Sequence, residues 1–293
     1  ISFLSKAQDD EKIIYKFNIK QEINESMRRQ TQKAFNEAKE MKADLIIIHM
    51  NTYGGRVDAA DSIRNTILNC PIPVYVFVDK NATSAGALIA ISCDSIYISK
   101  GGTIGAATVV DQSGAPVPDK YQSFMRKKMK ATAESHGKDT IIQDGDTIIK
   151  WKRDPLLAMA MVDKDIIVPE LSDSGKVLSL STEEALMYGY AEGRAQSIEE
   201  VIRKAGIENY KLVEYKVSAV DHMIGFLTNP MFQGLLIMII MAGIYFELQT
   251  PGVGFPLIAA LIAGILYFAP LYIEGLAANW EILIFFVGVV LIA

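Results

Sequence analysis

Cysteine and histidine are scarce: two cysteines and three histidines in 293 residues. Cys70 and Cys93 lie in apolar surroundings and read as small buried hydrophobes. His49, His136 and His222 are far apart, and no His-x-x-x-His or Cys-x-x-Cys spacing occurs. That argues against a metal centre, and no cofactor is implied. A basic stripe is also missing. With a net charge of −5, nucleic acid is disfavoured as a partner. Charge itself becomes scarce toward the C-terminus: beyond residue 222 the only ionisable acids or bases are Glu247, Glu274 and Glu281. A soluble domain over 1–217 followed by a membrane domain over 218–293 is the reading this asymmetry supports.

The apolar blocks Met231–Tyr245 and Ile258–Leu271, with their flanks, reach membrane length, and Ile282–Ala293 begins a third. Thr250–Pro256 reads as a tight hairpin between the first two. Tyr267, Tyr272 and Trp280 suit interfacial positions, and Glu247 is expected at the interface. With so few basic residues, the positive-inside rule cannot set an orientation. The chain opens Ile1-Ser2-Phe3-Leu4 without methionine, as a trimmed start would after removal of a signal peptide. It closes inside an apolar run, so the protein is expected to continue.

The first part alternates strand and helix patterns. Ile13–Ile19 alternates as a strand, Asn24–Lys42 is amphipathic, and Asp44–Met50 is an apolar run suited to a buried parallel strand. Val57–Leu68 predicts a helix, Val74–Val78 a strand, Ser95–Ile98 another, and residues 119–135 a long helix. Ser181 with Glu184 three residues on forms a capping box. A helix over Ile198–Ala205 and a strand over Lys211–Val217 close the series. Repeated strand–helix–strand units predict a largely parallel sheet covered by helices. Residues 138–180 are polar and interrupted.

Two loops stand out. In Asn81-Ala82-Thr83-Ser84-Ala85-Gly86, Asn81 suits a turn and Ser84 the start of an apolar helix. Free N–H groups and the positive dipole end there favour developing negative charge. The Gly54-Gly55 pair follows the strand ending at Met50, where a backbone N–H can turn toward a neighbouring site. Taken alone, these fit a plain helix cap and a tight turn; together they match the needs of acyl transfer. Asn51–Ser135 contains no histidine, so a Ser-His-Asp triad is disfavoured. A lysine kept neutral by burial is the remaining common base. Lys120, Lys127, Lys128 and Lys130 are candidates, and Lys120 stands at its helix start, where the dipole disfavours an ammonium.

The strings N-T-Y-G-G-R-V-D-A-A at 51–60, T-S-A-G-A-L-I-A-I-S at 83–92 and G-G-T-I-G-A-A at 101–107 resemble the NfeD family of membrane-bound, Clp-class serine proteases. So do E-E-A-L-x-Y-G at 183–189 and F-E-L-Q-T-P-G-V-G-F-P at 246–256. The resemblance implies an α/β domain of the crotonase/Clp-protease type followed by a helical transmembrane domain. It implies a Ser-Lys dyad, with Ser84 as nucleophile and Lys120 as base. The oxyanion donors fall on Gly54, Gly55 and Ala85. Tyr53 stands where the family usually has proline, and the stretch 138–180 is longer than expected, fitting a lid or contact surface.

The activity implied is that of a serine endopeptidase cleaving hydrophobic segments of membrane-associated proteins. Stomatin- or flotillin-like partners, membrane lipid and a homo-oligomer are implied as well. So is a multi-pass location in the cytoplasmic membrane, with the protease domain on the extracytoplasmic side. The alternative is a non-proteolytic scaffold that binds such a partner. Acyl-CoA chemistry on the same fold comes last, because it needs neither Ser84 nor a membrane tether.

Overall fold

The computed structural model describes residues 11–111, 113–143, 146–172, 175–250, 254–275 and 277–292. The predicted features at Ile1–Leu4, at the tip of the Thr250–Pro256 turn and at the final residue lie outside these. Two compact units divide at Tyr215/Lys216.

The first unit begins β1(Lys12–Ile19), α1(Glu25–Glu40), β2(Leu45–Thr52), α2(Val57–Leu68), β3(Val74–Thr83), α3(Ala85–Ser92), β4(Ser95–Ile98), β5(Thr103–Gly105) and α4(Asp119–Glu134). It continues with β6(Lys138–Gln143), β7(Asp146–Trp151), α5(Pro155–Ala160), β8(Ser179–Ser181), α6(Thr182–Met187), β9(Gly193–Arg194), α7(Ile198–Lys204) and β10(Tyr210–Glu214). The main sheet runs β10-β1-β2-β3-β4-β9, all parallel; β5 extends the upper half of β3, and β8 lies antiparallel to β5. Leu45–Ile48 are buried on both faces, as the unbroken apolar run requires. All eight residues of α3 are buried, which suits a helix with no polar face. The Ser181–Glu184 capping box is formed in both directions.

Two local expectations are corrected. Asn81 does not turn the chain: β3 continues through it to Thr83, after a register shift between Met50 and Thr52 on β2. Its Nδ2 instead donates to Asn51 Oδ1 (3.2 Å), tying the ends of two adjacent strands. Nor does Ser84 cap α3 with its side chain. Strand and helix are separated by this one residue, which makes the whole turn with φ 57° and ψ −120°. Its N–H donates to Gly105 O at 2.9 Å. A side chain in the left-handed φ range is strained.

The interrupted stretch after α4 contains a separate hairpin, β6–β7. The chain returns from it through Lys152, whose Nζ donates to Asp94 O (2.8 Å), and through Arg153, which is fully buried. Arg153 donates long bonds to Asp94 O (3.4 Å) and Glu192 (3.5 Å). His136 Nε2 lies 2.8 Å from Ile91 O. Cys70 and Cys93 are both free thiols, Cys93 buried and Cys70 half-buried.

The second unit holds α8(Ala219–Leu227), α9(Pro230–Gln249), α10(Phe255–Ile273) and α11(Asn279–Ile292). The helices α9 and α10, with 20 and 19 residues, are long and apolar enough to cross a membrane. They meet closely at Gly243, where a methyl group would lie 2.4 Å from Pro256 O. Leu236, Ile240 and Ala263 pack the contact, while Met238, Ile258 and Ile262 are exposed on the outside. Glu247 is buried, at 7% exposure.

Two stability predictions follow from the first unit. Ser84→Gly is expected to melt higher than Ser84→Ala, by the equivalent of about 1 kcal/mol, because glycine tolerates the positive φ. Thermal denaturation of the two variants measures this, and equal midpoints would show an unstrained turn. Burial, then the nearby Arg153 charge, pulls His136 from 6.5 to about 4. The unfolded chain therefore binds the extra proton first, and this contribution to stability, full above pH 6.5, is lost as pH falls toward about 4. His136→Gln should flatten unfolding curves recorded across that window; an unchanged pH slope counts against it.

Candidate active site

Because β2 and β3 are parallel neighbours, the loops leaving their C-terminal ends lie side by side. That is why Gly54-Gly55 and Ser84, distant in sequence, meet. A methyl group on Gly54 would lie 2.6 Å from Ser84 Cβ and 3.0 Å from its Oγ, so only glycine fits against the serine. On Gly55 it would lie 2.1 Å from Ile23 O. On Gly86 it would lie 2.7 Å from Thr52 Cγ2. Both loop glycines have positive φ, 111° and 151°.

The loop is pinned by main-chain bonds that the sequence did not reveal. Ile23 N–H donates to Gly54 O (2.9 Å) and Arg56 N–H to Ile23 O (2.7 Å). Thr52 Oγ1 donates to Gln21 O (2.8 Å) and accepts from Gly54 N–H (3.1 Å). Thr52 carries no periodic or motif signal beyond its place before the glycines. With its N–H turned toward Thr52, Gly54 contributes closeness to Ser84 rather than a free donor. Gly55 and Ala85 N–H, by contrast, make no hydrogen bond among the described residues. Ala85 opens α3, where the dipole end favours an anion. A cleft of about 420 Å³ lies beside the loop, lined by residues 20–22 and 51–55, with Tyr53 81% exposed at its rim.

Ser84 is half-buried and its hydroxyl is without a hydrogen bond among the described residues. Lys120 stands in the first turn of α4. Burial was the expected device for keeping it neutral, but Lys120 is exposed, with its ammonium 4.9 Å from the Tyr121 ring centre. No hydrogen bond joins it to Ser84. Of the other lysines on α4, Lys128 pairs with Asp61 (2.9 Å) and Lys130 with Glu134 (3.5 Å), while Lys127 is exposed. His49 faces Asp79 at 3.3 Å, and burial, with the Lys20 charge, holds it below its ordinary value. No bond links that pair to Ser84 among the described residues, and none of their His, Cys, Asp and Glu side chains cluster as a metal site.

Residues 13–215 match the NfeD1b N-terminal domain, and residues 231–293 match the NfeD integral membrane domain. Membrane protein NfeD1b of Bacillus subtilis is 34% identical over 287 residues, which is 98% of this chain and 62% of that protein. A membrane-bound protease of Pyrococcus horikoshii is 28% identical over an alignment of 296 positions that covers 91% of this chain and 61% of that protein. The chain thus spans about three-fifths of the length of these relatives. Among solved structures, a membrane-bound stomatin-specific protease, as a lysine-to-alanine mutant with a substrate peptide, superposes with TM-score 0.60. It is 26% identical, covering 75% of this chain and 99% of its own. A serine-to-alanine mutant gives 0.58, again at 26% identity, over 71% of this chain and 99% of its own. With its α/β unit matching one NfeD domain and its apolar helices the other, this chain belongs to the NfeD family of membrane proteins.

Proposed function

We propose that this chain is a membrane-anchored serine endopeptidase working through a Ser84–Lys120 dyad. The observation that carries the reading is the single-residue turn at Ser84 against the Gly54-Gly55 loop, with the Gly55 and Ala85 N–H groups making no hydrogen bond among the described residues. Neutral Lys120 takes the Ser84 proton as Oγ attacks a peptide carbonyl. The two N–H groups hold the oxyanion, and the resulting lysine ammonium protonates the leaving amine. Water, giving its proton to Lys120, then attacks the acyl-serine. The acid forms, Ser84 regains its proton, and both groups return to their starting state.

The substrates proposed are hydrophobic segments of membrane-associated proteins of the stomatin or flotillin kind, presented at the membrane surface. Support comes from the solved relative, whose description names it stomatin-specific and whose mutants replace a serine and a lysine. A homo-oligomer in the cytoplasmic membrane, with the α/β unit on the extracytoplasmic side, belongs to the same proposal. One observation favours the scaffold alternative: Lys120 is exposed and makes no bond to Ser84. Catalytic hydrogen bonds are often loose before substrate arrives, so this does not remove the dyad.

Cleavage of membrane-proximal hydrophobic peptides by wild type, Ser84→Ala and Lys120→Ala decides between the readings. Both variants are expected to lose activity by at least about 1,000-fold with folding intact. Activity surviving Ser84→Ala would sink the nucleophile assignment. Activity surviving Lys120→Ala alone would move the base to Lys127, Lys128 or Lys130. A wild-type chain that binds a stomatin-like partner and never cleaves it would establish the scaffold.

A further inference from the structure

Gln122 stands two residues beyond Lys120 in α4 and uses both ends of its carboxamide on one backbone position. Its Oε1 accepts from Val109 N–H at 3.0 Å, and its Nε2 donates to Val109 O at 2.6 Å. A longer bond reaches Val117 O at 3.4 Å. Because Val109 offers one donor and one acceptor, the carboxamide fits in only one orientation.

Val109 is anchored in turn to the nucleophile. It follows β5, whose last residue, Gly105, accepts the Ser84 N–H at 2.9 Å. The residues between are each held: Ala106 N–H by Leu178 O (2.9 Å), Ala107 N–H by Met161 O (2.6 Å) and Thr108 Oγ1 by Val162 O (3.0 Å). At the other end, α4 begins at Pro118 with no side-chain cap bond. Val109 O also accepts Val117 N–H at 3.1 Å, so the chain entering α4 is tied there by its main chain, and Gln122 is the side chain that adds the helix's own first turn to that anchor. The helix body is fixed separately, by buried Met125 and Met129 and by the Arg126–Asp163 pair.

We propose that Gln122 is a positioning residue for the dyad. By clamping Val109, it sets where the first turn of α4, and so Lys120, stands relative to Ser84. The proposal rests on the Ser84–Lys120 reading. A merely structural staple would change stability without acting through Lys120, and the two roles separate in a double-mutant cycle.

The experiment measures the second-order rate at which a fluorophosphonate probe labels Ser84 in the detergent-solubilised full chain, across pH 6 to 10. Gln122→Met keeps the side-chain length and removes all three bonds. It should slow labelling about tenfold or more, in line with the large cost of small misplacements at a reacting centre. In a Lys120→Ala background the same change should cost less than about twofold, since the lysine it positions is gone. Gln122→Glu keeps the acceptor for Val109 N–H and so guards against a Gln122→Met variant that fails to fold. It should slow labelling less than Gln122→Met does, because it keeps one of the bonds to Val109. Labelling unchanged in both Gln122→Met and Gln122→Glu, with Lys120→Ala still slow, would overturn the positioning role alone. So would an equal loss from Gln122→Met in both backgrounds. A Lys120→Ala variant that labels at the wild-type rate would overturn the dyad itself, and this proposal with it.

Discussion

The site depends on one backbone constraint. The chain must pass from a parallel strand into a buried helix within a single residue, and Ser84 does so in a conformation most side chains avoid. Such a turn persists only where the surroundings over-determine it. Here Gly105 O holds its N–H, Gly54 approaches its Cβ too closely for any side chain, and Gly86 packs the new helix against Thr52. Main chains from neighbouring segments thus crowd this one residue. That crowding also leaves the Gly55 and Ala85 N–H groups without a hydrogen bond among the described residues.

The same economy of small residues recurs under a different solvent. In the second unit Gly243 admits the backbone of α10, and Gly264 lies against the Phe285 ring. Between apolar helices, with no water to drive association, close van der Waals contact is the available force. Outward residues there are as apolar as the inward ones, which is what a lipid-facing surface calls for.

The order of strands and helices was legible because each carried a strong local signal: the unbroken Leu45–Ile48 run, the apolar Ala85–Ser92 stretch, the Ser181–Glu184 box. Asn81 misled because an intrinsic turn preference yielded to sheet pairing with Thr103. Ser84, Gly54 and Gly55 were found as residue types, but their closeness needed the β2–β3 adjacency. Thr52, Ile23 and Gln122 act through long-range main-chain bonds, and such bonds leave no spacing in the sequence. Lys120 was chosen for its helix terminus and its family position; its exposure could not be read from either. The β6–β7 hairpin lies in a polar, interrupted stretch with no strand-length apolar alternation to mark it, and among the described residues its strands pair with each other.

That hairpin also bears on unwanted strand pairing. Two strands forming their own sheet have two edges, and Ile148 and Ile149, consecutive in β7, are exposed on its two faces. Such an edge is a template for intermolecular pairing. Lys138, Asp139 and Lys150 are also exposed on these strands, charges of the kind that act as gatekeepers against it. The hairpin's exposed charges thus serve its fold by discouraging further strands from adding to it.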